Sequence, residues 1–217
     1  GLFVVSSNGK ILVDVKISGD EAMLLANSLK NATVIVSENR VKAILKAKEL
    51  GCKIIFLDDG FSKYQISKFN ILLRPKDEPT NIFCLPSGGY REPKGFYAQA
   101  DIELLEGSDF KRVITIKKDG MQSELPSKTV LITAISKPKR LLEFLPKDIK
   151  MISFPDHYDF TNEDIKNIQE KYKDYSFLTT GKDFVKLKKF NLKNLYLMDL
   201  EIKINENVDF SLMNEYI

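Results

Sequence analysis

Cysteine and histidine are scarce in these 217 residues: Cys52, Cys84 and His157 are the only ones. A zinc site of the usual kinds needs about four Cys/His ligands, or three with a carboxylate, so the composition argues against zinc. Both cysteines sit in or beside apolar segments and read as reduced core thiols of a cytoplasmic protein, not as a disulfide framework. No apolar run approaches the roughly 20 residues of a membrane span, and no stretch reads as a signal peptide. A strong charge of one sign is missing too. Lysine and arginine (33) against aspartate and glutamate (30) leave +3, too mild a balance to argue for nucleic acid. The phosphate-loop pattern G-x-x-x-x-G-K-[ST] is absent as well. Asn8-Gly9-Lys10 lacks the earlier glycine and precedes isoleucine, and Thr180-Gly181-Lys182 precedes Asp183. Neither would cradle a triphosphate. Residue 1 is glycine and not methionine, so a natural beginning upstream is expected.

What is present is an ordinary globular composition, 43% apolar and 29% charged, sufficient for a buried core. Hydrophobic periodicity alternates strands with helices. Phe3–Val5 and Lys10–Val15 flank an Asn8-Gly9 hairpin turn, and Gly19-Asp20-Glu21 opens a helix. A strand over 33–36 precedes a helix over 38–50 with Val41, Ile44, Leu45 and Ala47 facing inward. Lys53–Leu57 reads as a buried strand, followed by one near 70–73. From Cys84 to Gly95 the glycines and prolines predict an irregular loop. Strands at 101–105 and 111–117 lead to a second turn at Asp119-Gly120. The βα rhythm then resumes: strand 129–135, helix 138–145, strand 150–154, a helix capped by Thr161 to about 172, strand 176–179 and helix 183–189. Such alternation predicts parallel sheets in an α/β protein of two lobes. The antiparallel stretch around 108–127 is the expected boundary, giving lobes over residues 1–107 and 108–217.

The strongest local signal is Ile54-Ile55-Phe56-Leu57-Asp58-Asp59, paired acids at the carboxyl end of an apolar strand. Open α/β sheets hold ligands there, and phosphoryl-transfer enzymes need such an acid for magnesium. A polar turn after a strand is the plainer meaning of the same residues. His157 lies in Phe154-Pro155-Asp156-His157-Tyr158-Asp159-Phe160, again after a strand, where an imidazole beside a carboxylate can take a proton. A lone histidine is more often a surface loop residue. Asp20 and Glu21 at a helix start suit the helix dipole without any catalysis. Arg91-Glu92 would grip a phosphate or a metal, or form a surface ion pair. The run Lys182, Lys186, Lys188 and Lys189 reads as a solvated helix face, with contact to anionic lipid the minority meaning.

Taken in order, these segments resemble one family, the tetraacyldisaccharide 4'-kinases of lipid A biosynthesis. Gly19-Asp20-Glu21-Ala22-Met23-Leu24-Leu25-Ala26 is similar to its G-D-E-P-x-L-[LI]-A, with Ala22 replacing the proline. Val36–Ala43, around Arg40, resembles another family segment. Ile55-Phe56-Leu57-Asp58-Asp59-Gly60-Phe61 is similar to its D-D-G-[LF]-Q strand end, with Ser62 for the glutamine. Leu85-Pro86-Ser87-Gly88-Gly89-Tyr90-Arg91-Glu92-Pro93 resembles L-P-x-G-x-x-R-E-P. Ala134–Arg140 echoes G-I-x-x-P-x-R without its first glycine. The segment 154–161 resembles F-P-D-H-H-x-[FY]-T with Tyr158 for the second histidine, and 179–183 echoes T-E-K-D without its glutamate.

The resemblance implies a fold in which the first lobe is an incomplete P-loop kinase-like α/β domain, joined through the antiparallel hairpin to a smaller α/β lobe. The family carries its phosphate loop upstream of the G-D-E segment, so this chain looks like a kinase without its first segment. The implied activity is transfer of the ATP γ-phosphoryl to the 4'-hydroxyl of an acylated glucosamine disaccharide 1-phosphate lipid. The implied roles are Asp20 as base with His157 and Asp59 in the catalytic group, Arg91 and Glu21 at the nucleotide, and Asp58 and Glu92 at Mg2+. Asp20 and His157 are expected to meet across the cleft between the lobes. The full protein would sit peripherally on the cytoplasmic face of the bacterial inner membrane, without nucleic acid. These residues alone are expected to be inactive and to bind Mg-ATP no tighter than roughly millimolar. A non-catalytic binding or scaffold module that kept the kinase fold is the rival reading.

Overall fold

Asn8 (φ 47°) and Gly9 (φ 76°) adopt the positive φ angles of a two-residue turn, joining β1 (Leu2–Ser7) to β2 (Lys10–Ile11). The computed structural model describes residues 1–215. After α1 (Val15–Ser18) and α2 (Asp20–Ser28), β3 (Val34–Ser37) returns beside β1 in the order β2-β1-β3. The β1–β3 pairing is antiparallel, not parallel as the alternation predicts. The hairpin is the reason: a helical crossover preserves the direction of β2, which already opposes β1. In α3 (Arg40–Glu49) the Asn39 side chain caps the first turn by accepting from the Lys42 N–H at 3.1 Å. Ala47 is buried there, whereas Val41 and Leu45, expected inward, are exposed.

The apolar run at 53–57 is not a strand. No strand of the described residues pairs with its backbone; Ile54 and Phe56 face solvent, Phe56 at 80% exposure, while Ile55 and Leu57 are half-buried. Asp58 and Asp59 therefore do not crown a buried strand. Further on, β4 (Ile71–Arg74) and β5 (Ile102–Leu105) form a parallel pair near buried Tyr90, Leu104 and Phe110.

Between them lies a charge cluster centred on Glu78. Its carboxylate takes hydrogen bonds from Lys94, Arg74 and, at 3.2 Å, the Tyr90 hydroxyl. Lys94 first and Arg74 second hold the Glu78 carboxyl down from 4.5 to about 2. A carboxyl depressed by folding adds stability above its unfolded value and loses it as pH falls from 4.5 toward 2. Glu78→Gln is thus expected to flatten the acid limb of stability in that window. Urea midpoints measured from pH about 6 down to about 2 for both proteins check this; parallel curves would count against it.

β6 (Phe110–Lys118) and β7 (Met121–Gln122) enclose the second tight turn, with Asp119 at φ 50° and Gly120 at φ 82°. Then come β8 (Thr129–Thr133), β9 (Lys150–Ser153), α4 (Asn162–Lys171), β10 (Ser176–Thr180), α5 (Gly181–Leu187) and β11 (Leu195–Ile204). The six strands are ordered β7-β6-β11-β10-β8-β9, with β11, β10, β8 and β9 mutually parallel. β8 is buried along its whole length, as a central parallel strand covered on both faces must be. Alternate residues feed opposite layers. Val130, Ile132 and Phe177 pack with Phe160, Ile165 and Leu187, while Leu131 and Leu178 pack with Tyr196 and Met198.

The chain forms two compact units, Gly1–Gly51 with Ile114–Leu200, and Cys52–Val113 with the chain from Glu201 on. The expected division after residue 107 is replaced by this one. The physical reason is that α2 packs on α5: Val185 of α5 joins Val5, Met23, Ala26 and Val34 in one apolar cluster. The amino-terminal residues thereby share a core with the carboxyl-terminal sheet. Among the described residues no helix is long and apolar enough to cross a membrane.

Candidate active site

Gly19 separates α1 from α2 with φ 79° and ψ 166°, a conformation essentially restricted to glycine. A Cβ there would meet nothing within 4 Å, so the backbone bend itself is what requires glycine. The bend leaves Asp20 as the first residue of α2, at the positive end of its dipole.

His157 reaches Asp20 from the loop after β9. That loop is tied to the end of β8 by the Phe154 N–H on the Thr133 carbonyl (2.9 Å) and the His157 N–H on the Ala134 carbonyl (3.1 Å). Phe154, Tyr158 and Phe160 stiffen it by mutual packing, with ring centroids 4.8 to 5.8 Å apart. The Tyr158 hydroxyl donates to Asp164 Oδ2 at 3.1 Å, which raises the phenol above its ordinary range. Asp164 itself is held low by the Thr161 hydroxyl and N–H, the reciprocal cap that starts α4. Tyr158, standing where the resembling family has a second histidine, thus anchors the loop. His157 takes φ +59°, the left-handed region.

These supports bring Asp20 Oδ2 within 3.2 Å of His157 Nδ1. The Asp20 side chain is 13% exposed and the imidazole 64%, so the pair has a sheltered carboxylate and an open imidazole edge. Both belong to the first compact unit, which corrects the expectation that they face each other across a cleft between lobes. Lys186, read from sequence as part of a solvated face, is buried and donates to Asp20 Oδ2 at 2.8 Å. Only Lys188 and Lys189 of that run are exposed. The burial of Lys186 has a faint sequence signal: Asp183, Lys186 and Leu187 recur at the spacing of one helical face, and all three are buried. Asp183, met in the sequence as the end of the T-E-K-D echo, is a second residue whose buried role was not read there. Its Oδ2 accepts from the Thr133 hydroxyl (2.9 Å), the Ala134 N–H (2.9 Å) and the Thr180 hydroxyl (3.0 Å), fixing the strand end on which the His157 loop hangs.

The remaining expected site residues fall elsewhere. Glu21 pairs with Lys182. In the second unit Arg91 donates to Asp59 Oδ2 at 2.6 Å, and Tyr64 donates to Glu92 at 2.9 Å. Asp59 sits at φ 49°, so its turn, like that of His157, is left-handed. Asp58 is exposed, with no hydrogen bond or ion pair among the described residues. No group of three or more His, Cys, Asp or Glu side chains is gathered among the described residues. Asp58 and Glu92 are therefore not a ready-made cage. Magnesium bound with nucleotide needs only one or two carboxylates, and an unpaired aspartate is a donor of that kind.

Parallel strands alternating with helices, with side chains gathered at helix and strand ends, make an α/β fold of the P-loop kinase-like kind. Comparison with known proteins identifies which. The profile of the LpxK family, Tetraacyldisaccharide-1-P 4'-kinase, matches residues 2–216. The tetraacyldisaccharide 4'-kinase of Aliarcobacter butzleri is 77% identical over all 217 residues, which span 69% of that protein. That of Campylobacter jejuni subsp. doylei is 45% identical over 208 residues, 96% of this chain and 65% of its own. A crystal structure of the "apo" form of LpxK from Aquifex aeolicus in complex with ATP superposes with a TM-score of 0.70 at 26% identity, over 95% of this chain and 71% of that one. The chain belongs to the tetraacyldisaccharide 4'-kinase family, and it spans about two thirds of the length of the curated relatives it matches.

Proposed function

We propose that the protein to which these residues belong transfers the γ-phosphoryl group of ATP to the 4'-hydroxyl of a tetraacylated glucosamine disaccharide 1-phosphate. The single observation that carries this reading is the 3.2 Å contact between Asp20 and His157. A sugar hydroxyl attacks phosphorus poorly until its proton has an acceptor, and a carboxylate backed by an imidazole provides one. Asp20 takes the hydroxyl proton, and His157 orients the carboxylate and shares the charge that develops. Arg91 contributes positive charge at the phosphates, with Asp59 setting its orientation and Glu21 contacting the nucleotide. Asp58 and Glu92 would hold Mg2+, which when bound neutralises phosphate charge. The acyl chains of such a substrate stay in the bilayer, so the whole enzyme works peripherally at the cytoplasmic face of the inner membrane. The 217 residues by themselves, lacking a phosphate loop, are proposed to be inactive.

The test is transfer of label from γ-labelled ATP to the tetraacyldisaccharide 1-phosphate in detergent micelles. The complete gene product is expected to give labelled lipid, and these 217 residues none. A complete product that binds the lipid but transfers no label would establish a non-catalytic module instead.

A further inference from the structure

Lys186 is the most buried lysine of the site, 3% exposed, in a place where an unpaired ammonium would cost several kcal/mol. Its partners explain its presence. The Nζ donates to Asp20 Oδ2 at 2.8 Å and to the Tyr158 carbonyl at 3.1 Å. One side chain of α5 thus holds the start of α2 and the loop carrying His157, the two stretches that must meet. Asp20 Oδ2 receives both Lys186 and His157, while Asp20 Oδ1 has no hydrogen-bond partner among the described residues. Two contacts on one oxygen stop the carboxylate from rotating. They leave the other oxygen as the only acceptor for an incoming proton.

We propose that Lys186 is a positioning residue for phosphoryl transfer, clamping Asp20 by Oδ2 so that Oδ1 faces the substrate hydroxyl and His157 keeps its Nδ1–H on Oδ2. The proposal rests on the kinase reading above but makes a prediction that needs no turnover. His157 is the only histidine of these 217 residues, and in the complete enzyme labelled with 15N-histidine its pair of ring-nitrogen signals is the one absent from the spectrum of a His157→Asn variant. At pH about 9, where a free imidazole is neutral, those signals report which nitrogen carries the proton. In the complete wild-type enzyme Nδ1 is expected to be the protonated nitrogen. In Lys186→Met the carboxylate is free to turn, and both signals are expected to move toward the averaged values of an unconstrained imidazole. In the complete enzyme the same variant is expected to lower kcat about 10- to 100-fold, the effect of misplacing a reacting group by an ångström or less, with KM for both substrates nearly unchanged.

Should Lys186→Met fail to fold, Lys186→Gln, which keeps a polar head, is expected to give the same spectral change. Ring signals that superimpose on wild type in whichever variant folds would overturn the clamp, and so would failure of both to fold, which assigns Lys186 to structure alone. A complete wild-type enzyme without kinase activity would refute the proposed function, and the His157 spectra would still decide the clamp. Unchanged spectra in an active enzyme would refute the clamp alone.

Discussion

Asp20→Asn in the complete enzyme is expected to lower kcat by about 10²- to 10⁴-fold, the usual contribution of a positioned general base. Asparagine keeps the shape of the side chain at the start of α2 but cannot accept the hydroxyl proton, so KM should move little. His157→Asn, which tolerates the left-handed backbone at that position, is expected to lower kcat as well, because Asp20 Oδ2 then loses its imidazole partner at 3.2 Å. The double variant should be scarcely worse than Asp20→Asn alone. Residues that act as a unit cannot be lost twice, and the shortfall from additivity measures their coupling. Steady-state kinetics on the four proteins are sufficient. Fully additive losses would mean that the two side chains act separately, and an Asp20→Asn enzyme of near wild-type turnover would remove Asp20 as the base.

Asp183→Ala is expected to produce the largest loss of stability of any single change in the site region, about 3 kcal/mol. The carboxylate is 1% exposed and is the acceptor for Thr133, Ala134 and Thr180 together. Truncation leaves the buried Thr133 hydroxyl and Ala134 N–H, and the half-buried Thr180 hydroxyl, without their acceptor. For a chain of this size the loss corresponds to a fall in Tm of roughly 6–12 °C. Asp183→Asn should recover part of it, because the amide oxygen can occupy the Oδ2 position and keep the three donors satisfied, while its NH2 at the buried Oδ1 position finds no acceptor. Thermal melts of the three proteins distinguish this from a generic packing defect, in which alanine and asparagine would be equally harmful. Because the Ala134 carbonyl holds the His157 N–H, the alanine variant should also lose turnover in the complete enzyme below its Tm.

Features written in adjacent residues were legible from sequence. Both hairpins follow from Asn8-Gly9 and Asp119-Gly120, the α4 cap from Thr161 and Asp164, and the parallel sheet from the βα alternation of its second half. Features that depend on distant partners were not. The run at 53–57 has the composition of a core strand, yet strand formation requires a neighbour that nothing in the run itself specifies. Residues 138–144 form a 3-10 helix where an α-helix reads naturally, since no side chain caps its start. β11 escaped notice although Leu200, Ile202 and Ile204 alternate with charged residues, because its first half, Leu195–Met198, shows no clean period. The site divides in the same way. Asp20 and His157 were identifiable through the ordered motifs around them, not through either residue alone. Lys186 was hidden, because a lysine among lysines looks solvated until Asp20, far upstream, is folded against it.

The left-handed backbone at His157 has a consequence for how any mutational survey of this protein should be interpreted. Most L residues lose about 1–2 kcal/mol on entering that region, whereas glycine does so freely and asparagine at modest cost. A library at position 157 therefore sorts its members by two unrelated criteria at once. Valine and isoleucine will score as damaging through the main chain even in an assay blind to phosphoryl transfer, and alanine will carry part of the same burden. Asparagine and glycine are the substitutions that remove the imidazole with least disturbance of the loop path, so they are the proper reference points. The difference between their abundance and their turnover, not the rank of alanine, isolates the chemistry of the ring.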